Sequence, residues 1–193
     1  LCDNALATAT EVEVNGVCYT GNDTFQQLTG AGTVDIIDGR TLTVESGDFS
    51  GGIDSRGSMS FGTLRKAGPG TFKWSGISNH LGALELDEGV LDLEEMRQYI
   101  NIHDENKQSS YYHYYKQTGG TLKIAVQKDT GKGRLGAIFV SGDMGTAELT
   151  GGDYTVAGLD QLAGKDYTFI SAKGGVTGFS PTAPVRNTYG VFM

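Results

Sequence analysis

Cysteine, proline, tryptophan and histidine are all scarce in this chain of 193 residues, which holds two, three, one and three of them respectively. Neither Cys2 nor Cys18 belongs to a Cys-x-x-Cys pair or a Cys/His array of zinc spacing, so the sequence offers no metal site and points to no cofactor. The two read instead as a local disulfide, Cys2 to Cys18, closing a short loop worth about 3 kcal/mol in the chain-entropy model and implying an oxidising compartment; two unpaired thiols are the alternative. Three prolines and no triplet period exclude collagen. No stretch approaches the roughly 20 apolar residues of a membrane-spanning helix, so this chain is not expected to insert into a bilayer. It opens on Leu1 with neither a start methionine nor a signal peptide, and reads as a piece of something longer.

Positive charge is also sparse. Fifteen Lys and Arg face 23 Asp and Glu, a formal charge of −8 and a pI near 4.8, which argues against a phosphate-binding surface and a nucleic-acid partner. Lys128, Lys132 and Arg134 come closest to a basic patch, but they share a glycine-rich turn with Asp129 and read as a solvated loop. His80, His103 and His113 are the only histidines and read as surface residues. No Gly-x-Ser-x-Gly elbow occurs, and no catalytic triad assembles. Gly131-Lys132-Gly133-Arg134-Leu135-Gly136 matches the dinucleotide fingerprint literally, yet the strand-like Ala137-Ile138-Phe139-Val140 follows where a helix is needed.

What the chain has in plenty is glycine: 30 residues, roughly twice the usual share. They punctuate short strands. Gly70-Thr71-Phe72-Lys73-Trp74-Ser75-Gly76, Ala83-Leu84-Glu85-Leu86, Gly120-Thr121-Leu122-Lys123-Ile124-Ala125-Val126 and Gly152-Asp153-Tyr154-Thr155-Val156 each alternate apolar and polar side chains and then turn on Gly, Asn or Asp. Turn signals recur every 8 to 12 residues or so, which defines an all-β chain and fits a sandwich, a barrel or a β-solenoid. The similarity of successive units favours the solenoid, in which each coil covers its neighbour. Residues 1–28 read as a disulfide-pinned hairpin turning at Asn15-Gly16, or as a first coil. Coils follow over 29–93 and 118–180, with a tail at 181–193.

Residues 94–117 break the rhythm and read as an irregular insertion. Asp92 with Glu95 has the spacing of a helix cap, placing Leu93, Met96 and Ile100 on one helical face, while Tyr99 to His103 alternate as a strand does. Within it, Tyr111-Tyr112-His113-Tyr114-Tyr115 is the candidate binding segment, because tyrosine offers a rigid apolar body with a polar tip. As a strand it would put Tyr111, His113 and Tyr115 on one face and Tyr112 and Tyr114 on the other; packing the insertion onto the solenoid is the alternative use. Asp87, Asp92 and Glu95 are the carboxylates that a polysaccharide-cleaving enzyme would use, with solvated turns as the simpler reading. Asn22-Asp23-Thr24 is a glycosylation sequon by pattern.

Leu64-Arg65-Lys66-Ala67-Gly68-Pro69-Gly70-Thr71-Phe72-Lys73-Trp74-Ser75-Gly76, followed by Gly82-Ala83-Leu84-Glu85-Leu86 and Gly89-Val90-Leu91-Asp92-Leu93, resembles the passenger-associated strand repeat of bacterial autotransporters. Residues 145–154 and 167–179 look like the end of such a passenger, the folding nucleus called the autochaperone. The resemblance covers roughly residues 60 to 180. It implies a right-handed parallel β-helix, a non-enzymatic passenger fragment serving as adhesin stalk and folding template. It also implies secretion from, or display on, a Gram-negative cell through the protein's own C-terminal outer-membrane β-barrel, with a host glycan or protein receptor as partner. A carbohydrate-active β-helix enzyme and a lectin-like or structural β-sandwich are the alternatives.

Overall fold

Among the described residues, strands in the computed structural model pair only in parallel, and they do so with residues one coil away. The structure describes residues 8–56, 62–77, 80–96, 100–102, 113–125, 138–140, 144–158 and 169–178. Its strands are β1 (Thr8–Ala9), β2 (Val12–Val14), β3 (Val17–Thr20), β4 (Thr24–Gly30), β5 (Thr33–Ile37), β6 (Thr41–Phe49), β7 (Gly52–Arg56), β8 (Thr63–Lys66), β9 (Thr71–Trp74) and β10 (Ala83–Leu86). They continue as β11 (Val90–Asp92), β12 (Ile100–Ile102), β13 (Tyr114–Gln117), β14 (Thr121–Ala125), β15 (Ile138–Val140), β16 (Thr146–Leu149), β17 (Asp153–Ala157), β18 (Ile170–Ala172) and β19 (Val176–Thr177).

These strands stack into three faces of a parallel β-helix. The first face runs β1, the N-terminal half of β4, the N-terminal half of β6, then β8, β10, β13, β16 and β19. The second runs β2, the C-terminal halves of β4 and β6, then β9, β11, β14 and β17. The third stacks β3, β5 and β7, and separately β12, β15 and β18. Its two halves meet at Ile77 and at His80 and Leu81: Ile53 and Ser55 N–H donate to the carbonyls of Ile77 and His80 and Leu81 bridges Ile102.

Asn15-Gly16 therefore closes no hairpin. β2 pairs with β4 and β3 with β5, so the turn joins two faces of the first coil. Locally a corner and a hairpin need the same turn residues; what separates them is the strand waiting in the next coil. Among the described residues Cys18 is a free thiol, and Cys2, its expected partner, lies outside the described residues. The Cys18 backbone is fixed opposite Val34 in the ladder, and its side chain packs against the core.

Register gives the coil size directly. On the first face the aligned residues Thr8, Thr24, Thr43, Arg65, Glu85, Lys116, Glu148 and Thr177 are 16, 19, 22, 20, 31, 32 and 29 residues apart. The early coils are tight because β4 and β6 run around the first corner as single strands. Later coils lengthen at the other corners. Segment 94–117 contributes two regular rungs, with Ile100 and Ile102 buried in β12 and Tyr115 and Gln117 buried in β13. Of the two readings weighed after Asp92, the described residues 93–96 show a turn and not a helix start: Asp92 Oδ1 accepts the Glu94 N–H at 3.1 Å and Met96 N–H donates to the Leu93 carbonyl at 3.0 Å. Leu93 and Met96 nevertheless point into the core, each fully buried.

Inside, side chains stack in rows one coil apart. Leu42, Leu64, Leu84, Tyr115 and Ala147 form one row under the first face, and Phe72, Leu91, Leu122 and Tyr154 form one under the second. Burying each large apolar side chain is worth about 1.5–3 kcal/mol, so a misregistered coil would forfeit several such terms at once. Trp74 is fully buried and satisfies its indole N–H on the Gly51 carbonyl at 3.1 Å. At the first corner of the later coils Gly68, Gly89, Gly120 and Gly152 hold φ of 72°, 70°, 65° and 88°. A Cβ at Gly89 would collide with the carbonyl oxygens of Gly68 and Gly70, so this corner is built for glycine twice over.

Candidate functional site

The densest polar constellation among the described residues lies on the first face, where alternation within β8, β10 and β13 sends Arg65, Glu85, Tyr114 and Lys116 outward. Register brings Arg65, Glu85 and Lys116 into one row and sets Tyr114 beside Ala83 in the next. Arg65 Nε donates to Glu85 Oε2 at 2.6 Å, and the Tyr114 hydroxyl donates to Glu85 Oε1 at 2.6 Å. Arg65 also pairs with Asp87 at 3.4 Å, and the Thr118 hydroxyl donates to Asp87 at 2.8 Å. The hydrogen bond from Arg65 to Glu85 strengthens the guanidinium's hold on its proton. Burial, then the bond to Glu85, pushes the Tyr114 phenol up to about 12. Glu85 is thus fixed by a cation below and a phenol above, and is itself 8% exposed.

Beneath this face, β8 carries a lysine at an inward position. Leu64 and Lys66 share one parity of the strand, and Lys66 stacks between Val44 and Leu86 with no exposed surface. Its ammonium donates to the carbonyls of Ala67 at 2.8 Å, Gly68 at 2.7 Å and Glu88 at 3.0 Å. Burial lowers its pKa to about 8, with Glu88 and Glu45 pulling the other way. An ammonium has three donors, and here all three are spent on turn carbonyls of two successive coils. The sequence did hold this signal, because the alternation that buries Leu64 also buries Lys66.

The tyrosine-rich candidate segment divides. Tyr111 and Tyr112 lie outside the described residues. His113 is buried, with Nδ1 3.3 Å from the Gly82 carbonyl. Tyr115 is a core residue whose hydroxyl donates to Gln117 Oε1 at 2.8 Å, and its complete burial drives its pKa far up. Tyr114 alone of the described three stands outward, on the first-face network. So the face assignment expected for a strand holds for His113, Tyr114 and Tyr115, with one of them on the outside.

The three carboxylates considered for polysaccharide cleavage sit at opposite ends of β11, and each is engaged. Asp87 holds Arg65 and Thr118 before it, Asp92 accepts a turn amide at its end, and Glu95 pairs with Lys73 at 2.9 Å beyond it. That last contact, a hydrogen bond reinforced by Glu95, Asp48 and Asp92, raises the Lys73 pKa. The fingerprint-like Gly131 to Gly136, with Lys128, Lys132, Arg134 and His103, lies outside the described residues. Among the described residues no group of three or more His, Cys, Asp or Glu is placed to hold a metal ion.

The fold and this surface define a parallel β-helix whose polar side chains mostly tie one coil to the next. Comparison with family models, curated proteins and solved structures gives no match.

Proposed function

We propose that this chain is a non-enzymatic surface or secreted passenger segment, a stalk and folding template, in the manner of the autotransporter passengers whose repeat it resembles. The observation that carries the reading is the unbroken register of the first face from Thr8 to Thr177. Each coil is satisfied by its two neighbours alone, so folding started at one end propagates by adding rungs, which suits a protein that emerges through a membrane as an unfolded thread. Supporting it, the polar residues of the first face, Arg65, Glu85, Asp87 and Tyr114, are spent on one another. Partner contacts with a host glycan or protein receptor are then assigned to the remainder of segment 94–117.

The test is display. The chain is fused ahead of an outer-membrane β-barrel in a Gram-negative host, and surface exposure is read by antibody labelling and protease resistance on intact cells. Leu149→Asp, in the core of a late coil, should block the appearance of folded passenger, whereas Val14→Asp, in the first coil, should leave the later coils displayed and folded. Equal damage from both, or no display of the wild-type chain, would overturn the template reading. A carbohydrate-active enzyme would instead cleave an acidic polysaccharide and lose that activity in Asp87→Asn or Asp92→Asn.

A further inference from the structure

The second face carries an outward row in which charge alternates from coil to coil: Asp48, Lys73, Asp92 and Lys123, each the ladder partner of the next. Beside it runs a row of small or β-branched residues without charge, Thr71, Val90 and Thr121. Asp48 and Thr71 are exposed, and Lys73, Val90, Asp92, Thr121 and Lys123 are half-buried. The first face has a comparable row, Arg65, Glu85, Lys116 and Glu148, but Glu85 there is already enclosed by Arg65 and Tyr114. The second-face ladder is the more open of the two, with Lys73 held by Glu95 at 2.9 Å and Asp92 by a turn amide at 3.1 Å while both stay half-buried.

An alternating row of four has a symmetry property. Read backwards, the order minus, plus, minus, plus becomes plus, minus, plus, minus, so the row is complementary to its own reverse. A two-fold axis parallel to the strands, passing between β9 and β11, reverses the ladder while keeping each row over itself. It sets Lys73 against Asp92 of a second copy, Asp48 against Lys123, and Thr71 against Val90. We propose that the second face is a self-association surface, on which a second copy of this chain packs with its helix axis antiparallel.

The surface is small. The four charged rungs lie about 4.8 Å apart, which with three residues per strand gives an area on the order of 200 Å², well under the roughly 800 Å² per partner of a stable complex. The dimer is therefore weak and governed by charge. It forms at low ionic strength and dissolves near 1 M salt, where screening reaches about 3 Å. A two-fold contact of this kind is isologous, so it closes at two copies. Glu95, 65% exposed on its side chain and 2.9 Å from Lys73, remains at the rim.

Sedimentation of the whole chain at rising concentration tests this without any variant: a monomer–dimer equilibrium at low salt is expected, shifted to monomer at high salt. Lys73→Glu and Asp92→Lys should each sediment as monomers while keeping the wild-type circular dichroism. Mixing those two variants should restore a dimer, because Glu at 73 then meets Lys at 92 across the axis, which a loss of folding in either variant could not produce. A wild-type chain that stays monomeric, single variants that still dimerise, or a mixture that does not recover the dimer would overturn the proposal. So would a ladder of higher oligomers, which would point to end-to-end stacking of coils.

Discussion

The Lys66 ammonium donates to the Glu88 carbonyl, 3.0 Å away on the following coil, while its other two contacts hold the Ala67 and Gly68 carbonyls of its own turn. One buried side chain thus clips two consecutive first corners together. Replacing a buried charge by a hydrophobe of similar length is often neutral, since the desolvation cost disappears with it. Here three carbonyls would be left behind in a half-buried corner, and each such orphan costs about 1–3 kcal/mol if water does not reach it. Lys66→Met is therefore expected to lose about 1–3 kcal/mol, with partial hydration of the corner offsetting the remainder. Urea unfolding followed by circular dichroism measures it, and a more stable variant would show that desolvation dominates.

The same lysine gives stability a pH signature. Folded, its pKa is lowered to about 8, against an ordinary 10.5. Between those values the unfolded chain binds more protons than the folded one, so this group makes stability rise with pH through that window and adds nothing further above it. Tyr114 acts oppositely: its pKa is raised from 10.0 to about 12, so its contribution is complete below pH 10 and is lost as pH climbs toward 12. Unfolding free energies at pH 7.5, 9 and 10 should rise in the wild type relative to Lys66→Met. A flat difference between the two would refute the assignment.

Much of the first and second faces could be read from the chain because their strands carry their own evidence. In Thr71–Trp74, Phe72 and Trp74 alternate with Thr71 and Lys73 between glycine turns, and every inward residue is buried as the alternation requires. The later half of the third face carries less evidence of its own, although Tyr99 to His103 and Ala137 to Val140 read as strand-like. Ile100–Ile102, Ile138–Val140 and Ile170–Ala172 are three residues each, too short for a period, and they become strands by lying on one another. Asn15-Gly16 went wrong for a related reason, since the turn chemistry was right and the partner strand was a coil away. The first-face network is a register effect too: Tyr114 stands out in sequence only as one of a tyrosine run, and Arg65, Glu85 and Tyr114, 20 and 29 residues apart, meet only when the coils stack.

Two neighbouring tyrosines should behave as a core residue and a surface residue. Tyr115→Phe strands the Gln117 Oε1 that its hydroxyl satisfies inside the core, and should cost about 1–3 kcal/mol. Tyr114→Phe removes a bond to Glu85 that Arg65 still holds at the edge of solvent, and should cost less, about 0.5–1.5 kcal/mol. Measured midpoints in denaturant would place the two in that order. The reverse order would mean that the outward network, not the inner row, holds these coils together.

Glycine substitutions separate a corner built for glycine from a turn that merely uses one. At Gly89 the backbone sits at φ 70°, and an added Cβ would strike the carbonyl oxygens of Gly68 and Gly70 and come within 2.7 Å of Lys66 Nζ. The left-handed conformation alone costs a non-glycine residue about 1–2 kcal/mol, and the collision adds backbone displacement that would pull the Lys66 clip apart. Gly89→Ala is expected to lose more than about 2 kcal/mol. At Gly16, in the first coil, nothing lies within 4 Å of an added Cβ and φ is outside the left-handed region. Gly16→Ala should accordingly stay within about 0.5 kcal/mol of the wild type or stabilise slightly, by narrowing the unfolded ensemble. Thermal melts of the two variants beside the wild type decide the matter, and a Gly89→Ala chain as stable as Gly16→Ala would mean that the first corner has room to move that its stacked carbonyls do not show.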